Sequence, residues 1–492
     1  MDSNTGIQTP QDPSAVARKR LGLFLGLILG AIVLAAPPPA AMEPAAWKVS
    51  AIAVLMATWW ITEAIPLSAT ALLPLLLLPL LDIMPIERAA APYANPVIFL
   101  FLGGFVIAAA LQKSGLHLRI ALNILRIGGI APHRVIGAFM VATAFLSLWV
   151  SNTATVAMML PLALSVITVV EQQHTSTKRD LSFAPVLLLG LAYAANIGGL
   201  GTLIGSPPNA LLAGFLATTW SIQISFLDWM LVGIPVVLVA LPLTWLLLTQ
   251  VLYRVHKKPI AGGQGVLVEQ LEARGIPSRT EWTVGIVTIL TATAWVLRPL
   301  LAEVVPQISD AGIAIGGAML LFIVPTHWGR YERALTWADA ERLPWGVLIL
   351  FGGGLSLAAG MQESGLAAWF GTMLSGVATW PLLWVIVLVT TFVILLTELM
   401  SNTATAAMLL PVVSSLTIMM KIHPLILGMP TALAATCSFM LPVATPPNAI
   451  VFGSGRLTVG AMARVGLVLN LLLVLLITAA TIILVPRIIP GS

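Results

Sequence analysis

The sequence predicts an all-α polytopic membrane protein, with about eleven transmembrane helices, two re-entrant helical hairpins and an inverted internal repeat. Three observations predict it. Of 492 residues, 59% are hydrophobic and only 9% charged, against about 25% charged in a soluble chain. Apolar runs of roughly 18 to 25 residues recur between short charged loops, each long enough to cross a hydrocarbon core of about 30 Å as a helix. Three short segments of the first half also recur, in the same order, in the second. In lipid the backbone must satisfy its own hydrogen bonds, so the runs are helices. The period-2 alternation of a membrane barrel is absent.

Residues 1–20 form a cytoplasmic tail, polar through Val16 and carrying Pro10 and Pro13. Arg18, Lys19 and Arg20 precede the first apolar run, 21–36. A signal peptide has the same pattern, but the run is read as a retained first helix. Further spans follow at 48–65, 67–82 with Pro66 at the turn, and 97–112. An amphipathic stretch to about 132 suits the membrane surface. A long segment, 135–170, is either two crossings or a re-entrant hairpin. Spans at 183–219 and 229–253 close a first half, 21–253, and a cytoplasmic linker covers 254–282. The second half, 283–492, has spans at 283–300, 311–325, 344–361, 428–455 and 464–486, with a second long segment at 381–420.

Basic residues orient the chain. With the N-terminus inside, five of the 24 lysines and arginines fall outside: Lys48, Arg88, Arg298, Lys421 and Arg487. The rest lie inside, as the positive-inside rule asks of a multi-pass plasma (inner) membrane protein. The formal charge of +5 is thus spread over loops, and no nucleic-acid partner is implied. The single cysteine, Cys437, allows no internal disulfide and reads as a small packing residue. Trp59, Trp60, Trp345 and Trp380 read as interface anchors. The six histidines (His117, His133, His174, His256, His327 and His423) all fall on loops or surface helices.

The repeat is specific. Residues 101–116 read FLGGFVIAAALQKSGL and residues 351–366 read FGGGLSLAAGMQESGL. The same offset of 250 relates Ser151-Asn152-Thr153-Ala154-Thr155 to Ser401-Asn402-Thr403-Ala404-Thr405, and runs on through Pro161 and Pro411. Ser206-Pro207-Pro208-Asn209 then matches Thr445-Pro446-Pro447-Asn448 at an offset of 239. Residues 171–182 account for the difference. An odd number of crossings separates the two glycine-rich starts, so the halves are inverted. That architecture marks many secondary transporters, with the site at the repeat interface near the midplane.

Ser, Asn and Thr compete for backbone bonds in mid-helix and suit helix starts and turns. A hairpin tip at each SNT therefore frees N–H groups that favour an anion, beside carbonyls that suit a cation. The prolines of the PPN segments interrupt their helices, and irregular backbone at membrane depth survives only in a cavity or inside protein. No Arg, Lys or His lies in these four segments. An anion there needs helix ends, amides, hydroxyls and a co-bound cation. Sodium fits hard neutral oxygens; proton coupling would need Glu63 or Glu398, the carboxylates in apolar surroundings. No nucleophile, metal-ligand cluster or phosphate loop supports a membrane-embedded enzyme. Occlusion by paired hairpins argues against a channel.

The paired SNT motifs, the paired PPN segments and Trp60-Ile61-Thr62-Glu63-Ala64-Ile65-Pro66 resemble the divalent anion/sodium symporter family, from about Leu21 to the C-terminus. The resemblance implies a homodimer working by an elevator-type motion. It implies a substrate site of Asn152, Thr153, Ser206, Pro207, Asn402, Thr403, Thr445 and Pro446. One Na+ would sit near Ser147, Ser151, Asn152 and the Gly205 carbonyl, and another near Thr397, Met400, Asn402 and the Ala444 carbonyl. The function implied is sodium-coupled symport of a C4 dicarboxylate such as succinate, malate or fumarate into the cytoplasm. Dicarboxylate exchange and sodium-coupled citrate or sulfate carriage stay open.

Overall fold

A computed structural model describes residues 13–39, 41–129, 131–173, 182–253, 255, 269–327, 329 and 332–489. The chain folds into helices whose starts are set by proline. Proline lacks the N–H that a first helical residue leaves unpaired, so it suits that position. It occupies the opening turn of α2 (Pro44–Thr62), α6 (Pro96–Ser114) and α8 (Pro132–Ser147). The first helix, α1 (Pro13–Ala35), packs along α2. Glycine permits this close approach: a Cβ on Gly26 would sit 2.5 Å from the Trp59 indole nitrogen.

The predicted third span is not one helix. It divides into α3 (Leu67–Thr70) and α4 (Leu73–Leu80). Lys48 closes α4 by donating to the Leu81 carbonyl at 3.0 Å. A short α5 (Ile86–Ala90) leads through a 3-10 turn to α6. The amphipathic stretch is α7 (Leu116–Ile127). The first long segment comprises α8 and α9 (Asn152–Gln173), broken at the SNT motif.

The PPN prolines begin helices rather than breaking them, a correction to the sequence reading. The span expected at 183–219 is α10 (Phe183–Gly199) and α11 (Pro207–Trp220), with Pro207 in the first turn of α11. After α12 (Phe226–Leu246) and a π-helical turn, α13 (Arg279–Val296) and α14 (Arg298–Val304) meet at a 79° bend. Next come α15 (Asp310–Ile323), a two-stranded hairpin of β1 (Pro325–His327) and β2 (Glu332–Arg333), α16 (Trp337–Ala340) and α17 (Trp345–Glu363). The short α18 (Leu366–Met373) and α19 (Ser375–Ala378) precede the second long segment, α20 (Leu382–Thr397) and α21 (Asn402–Met420). The span expected at 428–455 is again two helices, α22 (Leu425–Ala435) and α23 (Pro446–Phe452), followed by α24 (Val459–Leu484).

Among the described residues, seven helices are long and apolar enough to cross a membrane. The chain is thus a multi-pass membrane protein, and leucine and isoleucine side chains lie exposed along α12, α13 and α24. The halves interlock: α23 packs against α9 and α10, while α11 packs against α21 and α22. Each PPN helix therefore lies against the opposite half's tip.

Ion pairs tie loops that the charge count places on one side. Lys113 meets Asp339, Arg119 meets Glu281 and Arg456 meets Glu171 on one face. Arg88 meets Glu363 and Arg298 meets Asp310 on the other. Three expectations need correction. Trp59 and Trp60 are 8% and 0% exposed, their indoles donating to the Leu23 and Leu67 carbonyls; only Trp345 and Trp380 keep the exposure of anchors. His117 sits on the buried side of α7. The first helix begins at Pro13, within the tail and ahead of the run at 21–36 predicted for it. The expectations for residues 1–12, 174–181 and 256–268 lie outside the described residues.

Candidate functional site

The first tip lies between α8 and α9. Ser147 ends α8, fully buried, and its hydroxyl donates to Asn152 Oδ1 at 2.6 Å. The same amide position is 3.1 Å from the Ala195 carbonyl and 3.3 Å from the Gly205 carbonyl. Oxygen placed there faces only oxygens; turning the amide to present its nitrogen, or a cation among the oxygens, relieves the clash of like dipoles. Glycine is required around it. A Cβ on Gly199 would lie 2.6 Å from Asn152 Oδ1, and one on Gly205 would lie 2.7 Å from the Gly199 carbonyl. Ser151 caps α9 through its hydroxyl, which accepts from Ala154 N.

The second tip repeats this with different donors. Thr397 ends α20, and its hydroxyl reaches both Asn402 Oδ1 at 2.9 Å and the Ala435 carbonyl at 2.8 Å. Ser438 adds a second hydroxyl to Asn402 Oδ1 at 3.1 Å. Both clusters consist of carboxamide, hydroxyl and carbonyl oxygens, the neutral hard donors that suit Na+ at unwound helix ends. Met400 and Ala444 are buried but contribute no hydrogen bond to the cluster among the described residues.

The two helix breaks, 200–206 and 436–445, are held by equivalent bonds. Asn209 Nδ2 donates to the carbonyls of Gly199 and Thr202, both at 2.8 Å. Asn448 Nδ2 donates to those of Ser438 and Leu441, at 3.1 and 3.0 Å. The 239-residue offset relates all three positions. Both side-chain oxygens are buried and without a partner among the described residues.

The halves are joined at the tips. Asn196 lies 3.3 Å from the Asn152 side-chain amide and donates to the Thr445 hydroxyl of the other half. Ser206 shares a hydrogen bond with Thr436 at 2.9 Å. Thr445 also caps α23 by accepting from Asn448 N. The structure thus brings together Ser147, Asn152, Gly205 and Thr445, and separately Thr397 and Asn402. Thr153 is exposed, Thr403 buried and Pro446 exposed, with Pro207 between. Sequence reasoning missed Asn196, Thr436 and Ser438. A signal was available: they are polar residues within apolar helix ends, at the interface that the repeat defines.

Glu63 and Glu398 differ sharply. Glu63 is exposed and ends α2 in a left-handed conformation, φ 49°. Glu398 is 4% exposed and accepts from the backbone N–H groups of Phe439, Met440 and Leu441 and from Asn470 Nδ2.

The tips are also unequally open. Along α9, Thr153, Ala157, Pro161 and Thr168 are exposed. At the equivalent places on α21, Thr403, Ala407 and Pro411 are buried, and only Ile418 is open.

Residues 17–486 match the family model described as the sodium:sulfate symporter transmembrane region. The chain belongs to the divalent anion/sodium symporter family. A sodium-dependent dicarboxylate transporter of Staphylococcus saprophyticus is 42% identical over 473 residues, covering 95% of this chain and 91% of that protein. A Staphylococcus aureus protein of the same name is 42% identical, with coverages of 94% and 90%. The likeness extends to solved structures at the level of fold. The Alcanivorax borkumensis YdaH transporter covers 96% of this chain and 98% of its own, with 15% identity and a TM-score of 0.55. The Neisseria gonorrhoeae efflux pump MtrF covers 96% and 95%, with 11% identity and a TM-score of 0.57. As a member of this family the chain is a transporter, not an enzyme.

Proposed function

We propose that the protein takes up C4 dicarboxylates such as succinate, malate or fumarate into the cytoplasm together with sodium. The observation that carries the reading is the pair of oxygen clusters, Ser147–Asn152–Gly205 and Thr397–Asn402–Ser438, at repeat-related tips without a basic residue. An anion at such a site depends on helix-start N–H groups and hydroxyls, and its charge is balanced by cations that enter with it. The named activity of the 42% identical relatives supports a dicarboxylate as substrate and sodium as the ion.

On this reading Asn152, Thr153, Asn402 and Thr403 hold the two carboxylates, with Ser206, Pro207, Thr445 and Pro446 lining the space between. Ser151, Met400 and Ala444 complete the ion sites through oxygens that turn inward on binding. The open face of α9 is the path to the cytoplasm, and the covered face of α21 is its closed counterpart. Each cluster would hold one sodium ion. Transport proceeds by elevator-type movement of the tips and broken helices against the remaining spans, within a homodimer whose N-termini are cytoplasmic.

The test is uptake of labelled succinate into liposomes under an inward sodium gradient, repeated with potassium. Uptake that needs sodium and falls at least about 100-fold in both Asn152→Ala and Asn402→Ala is expected, since each change removes a transition-determining polar contact and half of a site. Sodium-independent uptake that needs internal dicarboxylate would make the protein an exchanger. Transport of citrate or sulfate without succinate would replace the substrate.

A further inference from the structure

We propose that a crevice between α11, α17, α18 and α21 binds an organic carboxylate with an apolar body, and that its occupancy holds the covered face of α21 shut. The site stands on its own geometry; the effect on α21 rests on the elevator-type reading above.

The crevice has a volume of about 460 Å³, within the roughly 300–1,000 Å³ of small-molecule sites. Its walls are mostly apolar: Phe215 and Trp220 of α11, Ala358 of α17, Ala367 of α18, and Pro411 and Ile418 of α21. Two polar groups join them. Trp220 donates its indole N–H to Ser414 Oγ at 2.9 Å, and a serine that accepts still has its own hydrogen to give. Gln362 adds an amide. One turn nearer the tip the walls meet, since a Cβ on Gly354 of α17 would lie 3.0 Å from Ala407 Cβ. The space is therefore closed toward the tip, and Lys421 stands at its far end, exposed.

Lys421 is the one charged residue of this lining among the described residues, and it forms no ion pair among them. The repeat identifies the missing partner. At the offset of 250 the place of Lys421 is held by Glu171, which pairs with Arg456. At the offset of 239 the place of Arg456 is held by Ala217. The first half closes this corner with its own ion pair; the second offers a cation beside an apolar space. A carboxylate from outside the chain supplies the absent charge, and the walls select its body. A cation at the end of α21 also suits the helix dipole, but that role needs no cavity. On the proposed orientation Lys421 lies outside, so the ligand arrives from the outer water.

The crevice spans parts that move against each other on the elevator-type reading. Helices α11 and α21 carry a break and a tip, whereas α17 and α18 belong to the remaining spans. Both α17 and α18 pack directly on α21. A ligand that binds only while these walls face each other shifts the population toward this arrangement.

The test uses naphthalene-2-carboxylate as probe and naphthalene-2-carboxamide as its neutral control. Equilibrium dialysis against the full chain in lipid nanodiscs, with empty nanodiscs as blank, reads binding without transport. The carboxylate is expected to bind saturably, one per chain, and at least about ten-fold more tightly than the carboxamide. Lys421→Gln should weaken it about ten-fold, Lys421→Arg should keep it, and Ala367→Trp, which fills the crevice, should abolish it. In liposomes the carboxylate should lower the maximal rate of sodium-driven succinate uptake without raising the succinate concentration that gives half of it. Lys421→Gln should resist that inhibition by the same factor.

No saturable binding to the unsubstituted chain, or equal binding by Lys421→Gln, would overturn the site. If Ala367→Trp does not fold, the two lysine variants decide by themselves. Inhibition that added succinate relieves would put the probe in the transport site and overturn the inference; binding without inhibition would overturn the effect on α21. A chain that binds the probe as expected but takes up no succinate would confirm the site and overturn the dicarboxylate reading.

Discussion

His117 is 5% exposed on α7, and its Nδ1 bonds to the Leu111 carbonyl. The bond fixes the neutral tautomer with hydrogen on Nδ1. Burial lowers its pKa from 6.5; the Leu111 bond opposes the shift and nearby Arg274 adds to it. Below about pH 6.5 the unfolded chain therefore binds a proton that the folded chain resists, so stability falls as pH drops through that window. The melting temperature in detergent should decline on acidification from about pH 7.5 to 5.5, and His117→Gln should remove part of the decline. Chemical identity at this scale was readable, since Asn152, Asn402 and Glu398 stood out as polar residues in apolar sequence. Burial was not: an amphipathic helix shows a dry face only once α8 covers it. For the same reason Trp59 passed as an anchor until α1 lay across it.

At the scale of elements, the closest contacts run through glycine. A Cβ on Gly103 of α6 would lie 2.6 Å from the carbonyl carbon of Ala314 on α15, whereas one on Gly316, two residues on, meets nothing within 4 Å. Gly103→Val should cost about 3 kcal/mol or abolish folding, because backbone cannot yield as a side chain does. Gly316→Ala should leave the melting temperature unchanged or slightly raised, as alanine favours helix over glycine. Paired measurements in detergent check both; a tolerated valine at 103 would mean the two helices separate easily. The repeat made the broken segments visible, since Asn152 and Asn402 sit at one offset. Their limits were misread because proline was taken as an interruption, when a free N–H position at a helix start accommodates it. The break between α3 and α4 carries the same mark, Pro74 in the first turn of α4, and it was passed over because the apolar run continues through it.

For the whole molecule, the inequality between α9 and α21 is the main unforeseen feature. The two segments are so alike in sequence that nothing in them distinguishes an open copy from a covered one; packing of α17 and α11 against α21 does. On the proposed reading the protein is open to the cytoplasm, and the covered face opens outward in the other state. In a Cys437→Ala background, Ala157→Cys should react with a hydrophilic maleimide and Ala407→Cys should not, as long as this state prevails. Equal labelling of both would show that the exposure difference is not a difference in water access. The native thiol itself is buried and bonded to the Leu433 carbonyl.

The divided helices bear on how the chain enters the bilayer. Helix α22 has 11 residues and α23 has 7. At about 1.5 Å per residue neither reaches across about 30 Å of hydrocarbon. Their loose ends, satisfied in the finished protein by Asn448, Glu398 and Thr445, would meet only lipid if they inserted alone. Spans such as α12 and α24 are independent insertion units; the half-helices and tips are not. They can settle only into a protein cavity whose walls are already in place, so the transport site is the last part of this molecule to be made.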